Sequence, residues 1–236
     1  MIYYPDKQDF DNCPGFSDYE RKNYDGTRFY FKQGKDNESN NVIVFYHGNA
    51  GSTCDRSYMK QLFERTKASL IFVEYAGYSN DKKRPNIKRI LDDVRNINSF
   101  IINNGFESVM VYGESIGTGP GSYHAKIGQV DFLIFVTPFY SLQYLAQSMY
   151  RIYLASILVR ERYDNARWLK DYKGDIVIIH GSQDDIIPYQ HSRRLYDNLV
   201  TENKEYIFIQ GRGHNDLWHS DEYRIRLADL IMRINN

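Results

Sequence analysis

From residue 42 onward the chain repeats one pattern: a short apolar run, a bend, then an amphipathic stretch. The apolar runs fall at residues 42–46, 70–75, 109–112, 132–136, 176–179 and 206–209. Each is nearly continuous rather than alternating, as expected of strands covered on both faces of a parallel sheet. Between them lie helical patterns. In the cleanest, Ile87, Ile90, Leu91, Val94, Ile97 and Ile101 share one face, with Pro85 before and Asn103-Asn104-Gly105 after. Leu227, Leu230, Ile231 and Ile234 repeat the spacing near the end, behind Asp221 and Glu222, whose charges favour a helix N-terminus. The alternation predicts a mostly parallel α/β sheet with helices on both faces and its chemistry at the carboxyl ends of the strands.

The 236 residues read as a single domain, 1–236. Asp25-Gly26 before Thr27-Arg28-Phe29-Tyr30-Phe31 marks a turn into a strand, and the polar cluster at residues 34–41 reads as a hairpin connection. Between the runs ending near Pro138 and starting at Asp175 there is more chain than a crossover needs. There Leu142, Leu145, Met149, Ile152 and Val159 keep helical spacing beside Arg151, Arg160, Glu161 and Arg162, so residues 139–172 are expected to form a short helical cap insertion. The alternative is an ordinary helix packed on the sheet.

Thirty Lys plus Arg balance thirty Asp plus Glu. No chain-wide basic field is present to hold nucleic acid or an acidic membrane surface. Mean hydropathy is -0.59 and no run approaches the roughly 20 apolar residues of an integral membrane segment. Met1-Ile2-Tyr3-Tyr4-Pro5-Asp6 does not read as a secretory signal, so a cytoplasmic protein is expected. Cys13 and Cys54 are too few for a four-cysteine zinc site and are expected as two free thiols, although a single bridge is open to them. The 21 Tyr and 13 Phe imply a core built from rings, many with a hydroxyl to satisfy.

The run at 109–112 leads directly into Gly113-Glu114-Ser115-Ile116-Gly117, a G-x-S-x-G pattern. Glycines flanking the serine relieve crowding where a strand turns sharply into a helix and lift the hydroxyl above the sheet edge. A serine hydroxyl is a weak nucleophile at neutral pH and needs a base, which in turn needs an acid to fix its tautomer. Of six histidines, His214 in Gly211-Arg212-Gly213-His214-Asn215-Asp216 sits on a loop between the last strand and the last helix, making it the candidate base. His47 and His180 each precede a glycine at a strand end, where a ring bonded to its own loop is expected; His124, His191 and His219 are expected to be solvated. The acid is assigned to Asp184, in His180-Gly181-Ser182-Gln183-Asp184-Asp185, with Asp185 expected to cap the helix near Pro188. The backbone N–H of Ile116 and that of Asn49, in His47-Gly48-Asn49-Ala50-Gly51, are the candidate oxyanion donors. Pro120 lacks an N–H and is expected to cost the following helix a bond or kink it.

Together His47-Gly48-Asn49-Ala50-Gly51, Gly113-Glu114-Ser115-Ile116-Gly117-Thr118, His180-Gly181-Ser182-Gln183-Asp184 and Gly213-His214-Asn215-Asp216 resemble the α/β-hydrolase superfamily, specifically its small serine hydrolases of the protein-depalmitoylase and related α/β-hydrolase-domain type. The resemblance spans roughly residues 25 to 234, and Pro120 also matches a proline that some relatives carry. It implies a nucleophile at Ser115, an acid at Asp184, a base at His214 and oxyanion donors at Asn49 and Ile116. Two departures stand in Glu74-Tyr75-Ala76-Gly77-Tyr78-Ser79: Ala76 where an arginine is frequent and Ser79 where a glycine is frequent. Membrane-associated depalmitoylases carry a cysteine-rich N-terminus for lipidation; here only Cys13 lies upstream of residue 34, so membrane attachment is not expected to carry over from the resemblance.

The sequence therefore predicts a serine esterase or thioesterase acting on a small-molecule or acylated-protein substrate, with no metal and no organic cofactor. The alternatives are an acyltransferase using the same triad and a non-catalytic binding or interaction protein.

Overall fold

The computed structural model describes residues 2–35, 40–150 and 161–235. An N-terminal arm contains a two-residue strand β1 (Tyr4–Pro5), followed by the hairpin of β2 (Glu20–Tyr24) and β3 (Thr27–Lys32). Its two-residue turn, Asp25-Gly26, has φ of 50° and 83°, as a type I′ hairpin requires. The chain continues through β4 (Asn41–Tyr46), β5 (Ala50–Gly51), α1 (Lys60–Phe63), β6 (Ser69–Glu74), α2 (Ile87–Asn103), β7 (Ser108–Glu114), α3 (Thr118–Ile127) and β8 (Phe132–Val136). Then come α4 (Leu142–Tyr150), α5 (Asn165–Trp168), β9 (Asp175–Gly181), α6 (Gln190–Asp197), β10 (Lys204–Ile209) and α7 (Asp221–Met232).

The main sheet has the order β10-β9-β8-β7-β4-β6-β3-β2. It is parallel from β10 to β6, and β3 and β2 are antiparallel additions at one edge. Residues 34–41 therefore do not close a hairpin, because β6 lies between β3 and β4. The physical reason is burial. Val42 to Tyr46 are apolar on both faces and fully covered, which suits a strand flanked by β6 and β7, whereas Glu20, Arg21 and Lys22 keep β2 at the solvated edge.

Alternate residues of each strand enter opposite cores. Val42, Val44, Val109 and Val111 pack under α2, whose Ile90, Val94, Ile97 and Ile101 are buried; each such side chain contributes roughly 2 kcal/mol. Ile43, Phe45, Met110 and Tyr112 face Phe63 of α1 and Leu227, Leu230 and Ile231 of α7. Asn86 caps α2 by accepting from the Arg89 amide (3.0 Å), and Gly105, with φ of 71°, follows its C-terminus. Pro120 is the third residue of α3, within its first turn, where amides lack regular intrahelical acceptors and a missing N–H costs least.

The winding reverses at β4. The chain steps from β4 to β6 on one side and crosses back to β7 on the other, which opens a crevice at the carboxyl ends of β4 and β7. Among the described residues no helix is long and apolar enough to cross a membrane.

The expected free thiols are not found: Cys13 and Cys54 form a disulfide with a Cα–Cα distance of 5.8 Å. The arm is packed back against the sheet by Phe10 and Phe16, which meet Tyr30 at ring distances of 4.5 and 4.3 Å, and this brings the sulfurs together. Of the insertion, Arg151, Ile152, Val159 and Arg160 lie outside the described residues.

Candidate active site

Ser115 sits where β7 ends and a helical turn begins, with φ of 52°. That left-handed conformation costs a non-glycine residue about 1 kcal/mol, so the surrounding packing must enforce it. The glycines show how. A Cβ on Gly117 would lie 2.3 Å from the Tyr46 carbonyl oxygen and 2.6 Å from that of His47, and one on Gly113 would lie 2.8 Å from the Gly117 oxygen. The turn is thus pressed against the end of β4. From the other side Thr118 Oγ1 donates to the Ser115 carbonyl (2.7 Å) and accepts from Asn165 Nδ2 of α5 (3.0 Å).

His214 arrives on the loop after β10. Its Nε2 lies 2.9 Å from Ser115 Oγ and its Nδ1 lies 2.7 Å from Asp184 Oδ2. Since an ionised carboxylate only accepts, Nδ1 carries the hydrogen, leaving the Nε2 lone pair of the neutral ring directed at the serine hydroxyl.

Asp184 is buried after β9 and is fully engaged. Oδ1 accepts from the Ile186 (3.0 Å) and Ile187 (2.7 Å) amides, while Oδ2 faces both His214 and His180 Nε2 (3.1 Å). Burial opposes the charge of Asp184, but the hydrogen bonds from His180, His214 and the Ile187 amide outweigh it and hold the carboxyl well below the usual carboxylate range.

His180 bonds its own loop as expected, at 2.8 Å from the Ile187 oxygen, but it also reaches Asp184. Because both of those partners accept, its Nε2 carries the hydrogen. Sequence reasoning missed this second contact, although the spacing of the two residues on one strand-end turn was open to reading. Asp185 is exposed and caps nothing: α6 begins after Tyr189 with no side-chain cap, because Asp184 already holds the turn's amides.

The loop after β4 lies against the elbow. Asn49 Oδ1 accepts from the Tyr4 amide (3.2 Å) and the Tyr78 hydroxyl (2.9 Å), and its Nδ2 donates to the Ile2 carbonyl (2.5 Å). β1 pairs with β5 in parallel, so the N-terminal arm clamps this loop directly. Ile116 follows Ser115 in the turn leading into α3. The Ser79 departure has a physical account. Ser79 has φ of 45°, a conformation that favours glycine, and its hydroxyl donates to Glu74 Oε2 (2.8 Å). The Ala76 amide donates to Asp93 Oδ2 (2.8 Å).

A cavity of about 200 Å³ opens beside His214, with Arg56, Tyr58, Glu114, Trp218 and Tyr223 in its walls. Arg56 Nη2 lies 3.4 Å from Glu114 Oε1, so the charged side of this cavity is internally paired.

Two histidines expected in solvent are buried instead, because the surfaces they meet come from distant parts of the chain. His124 Nδ1 meets the Tyr46 hydroxyl at 3.0 Å and His191 Nε2 meets Ser148 Oγ at 3.0 Å. Burial pushes both down to about 4, helped at His191 by His180 and Arg194. His219 is exposed, as expected. Among the described residues no group of three or more His, Cys, Asp or Glu is arranged to hold a metal ion.

A mostly parallel sheet, a strained serine at the strand-to-helix turn after β7, and acid and histidine loops after β9 and β10 define the α/β-hydrolase fold. No family model matches it. It is 27% identical over its whole length to YfhR, an uncharacterized protein of Escherichia coli O157:H7, and covers 88% of that protein. Over 80% of its length it is 25% identical to alpha/beta hydrolase domain-containing protein 17C of Xenopus tropicalis, of which it spans 61%. The Pyrococcus furiosus esterase Pf2001 has a similar structure, with a TM-score of 0.74 at 15% identity over 98% of both chains.

Proposed function

We propose that the protein is a serine hydrolase that cleaves carboxylic ester or thioester bonds through an acyl-enzyme on Ser115. The observation that carries this reading is the relay from Ser115 Oγ to His214 Nε2 (2.9 Å) and from His214 Nδ1 to Asp184 Oδ2 (2.7 Å). His214 takes the hydroxyl proton as Ser115 Oγ attacks the substrate carbonyl, and Asp184 stabilises the imidazolium that forms. The amides of Ile116 and Asn49 bind the oxyanion. His214 then returns the proton to the leaving alcohol or thiol, and water, activated by the same ring, releases the acid. Residues 139–172 are read as a cap over this site; in support, Tyr163 packs on Gly119 of the elbow helix and Asn165 holds Thr118.

A fluorophosphonate probe tests the assignment. Wild-type protein is expected to be labelled and Ser115→Ala is not; labelling that survives in Ser115→Ala, or fails in wild type, sinks it. In Asp184→Asn the ring loses its anion and its preferred tautomer, and kcat for a p-nitrophenyl ester is expected to fall about 10⁴-fold.

A further inference from the structure

Behind the loop that carries Asn49, two ionisable side chains face each other with no water-exposed surface. His47 directly follows β4 and Glu74 ends β6, and both side chains are fully buried. His47 Nδ1 lies 2.6 Å from the Gly48 carbonyl oxygen, so Nδ1 must carry a hydrogen. The other nitrogen, Nε2, lies 3.5 Å from Glu74 Oε1. Among the described residues neither of these two atoms has a hydrogen-bond partner. The second carboxyl oxygen of Glu74 is already used by the Thr53 amide (3.1 Å) and the Ser79 hydroxyl (2.8 Å). Without a further proton, an imidazole lone pair would confront a carboxylate with neither side chain exposed to water, an arrangement that burial strongly penalises.

We propose that His47 and Glu74 share one buried proton and act together as a positioning pair for the oxyanion loop. The proton lies between Nε2 and Oε1, whichever of the two carries it. Its consequence is mechanical. The His47 ring is stacked on Tyr75 at 4.1 Å, and the His47 carbonyl accepts from the Tyr75 hydroxyl (2.8 Å) and backs onto Gly117 of the elbow. Fixing this ring fixes the start of the Gly48-Asn49 segment relative to Ser115. Glu74 extends the hold sideways through Thr53 to the loop's far end and through Ser79 to the turn that supplies Tyr78, a ligand of the Asn49 side chain.

The charged neighbour on the arm is Asp6. Its carboxyl is pushed up by burial and by the charges of Asp55 and Glu74, against a bond from Ser52.

The inference rests on the serine hydrolase reading for its kinetic consequence but not for its chemistry, and two measurements separate them. In Glu74→Gln the amide N–H replaces the shared proton and the amide oxygen keeps Thr53 and Ser79, so kcat is expected to stay within about threefold of wild type. In Glu74→Leu kcat is expected to fall at least tenfold with KM within twofold, because the loop's amide acts on the transition state more than on the substrate. Loss in Glu74→Gln as large as in Glu74→Leu, or full activity in Glu74→Leu, overturns the proposal. Independently of any turnover and of whether Glu74→Leu folds, ring-nitrogen and carboxyl-carbon NMR shifts of the wild-type protein at pH 7 are expected to show either a doubly protonated His47 or a protonated Glu74. An unprotonated His47 Nε2 beside a carboxylate-type Glu74 overturns it even if Ser115 is labelled by fluorophosphonate.

Discussion

At residue scale, the conformation of Ser115 is dictated by its neighbours. Its φ of 52° suits glycine better, and the turn holds it only because Gly113 and Gly117 let backbone approach backbone. Ser115→Gly is therefore expected to raise the stability of the protein by about 0.5–1 kcal/mol while abolishing the proposed ester cleavage. Thermal melting checks this: an unchanged or lower midpoint would show that the left-handed turn carries no strain. Gly117→Ala has the opposite sign, because its methyl group would meet two carbonyl oxygens, and loss of both folding yield and activity is expected.

At the scale of elements, α2 is tied to the edge of the sheet by one buried carboxylate. Asp93 accepts from the Thr27 hydroxyl (2.8 Å) and the Ala76 amide (2.8 Å), yet burial pushes its carboxyl up to about 6 against those bonds. The unfolded chain releases this proton near pH 3.9 and the folded protein near 6, so the native state binds more protons between these values. Stability from this group is therefore complete below about pH 4 and is lost as pH rises through about 6, by on the order of 2–3 kcal/mol. Asp93→Asn should flatten that slope. Denaturant midpoints at pH 4.5 and 7.5 decide it, and equal slopes for variant and wild type would count against the buried-carboxyl account.

The same scale explains what could be read in advance. The six core strands and α2 were legible because their periodicity is a local property that burial on two faces or one enforces. The order of the loops bearing Ser115, Asp184 and His214 was legible too, since parallel strands send their carboxyl ends to one edge. The misread connection at 34–41 shows the limit: a polar loop after a β-prone run has the same composition whether the next strand pairs beside it or one place further on. β1 and β5, two residues each, are too short for any period. His124 and His191 read as solvated because their local sequence is polar, while the surfaces that bury them come from Tyr46 and Tyr144 on other elements.

At the scale of the whole molecule, the N-terminal arm acts as a strap. It is bound to the Asn49 loop by β1 and by both ends of the Asn49 amide, and to the far side of the site by Tyr3, whose hydroxyl donates to Glu161 (2.8 Å). The Cys13–Cys54 bond closes it across a separation of 41 residues. A loop of that size confines the unfolded chain enough to stabilise the native state by about 3–4 kcal/mol. Reduction, or the double change Cys13→Ser and Cys54→Ser, is expected to lower the urea midpoint correspondingly, and an unchanged midpoint would mean that packing alone seats the strap. A disulfide of this kind persists most readily in an oxidising compartment, which bears on where the protein works.

The strap also governs how the protein can be handled. With the Ile2 carbonyl held by Asn49, anything fused ahead of residue 2 emerges beside the loop after β4, and a purification handle there would be assayed along with the candidate site. The opposite terminus is anchored at the amino ends of the strands, where Asn41 binds the Ile234 carbonyl, so a handle added there leaves the crevice untouched.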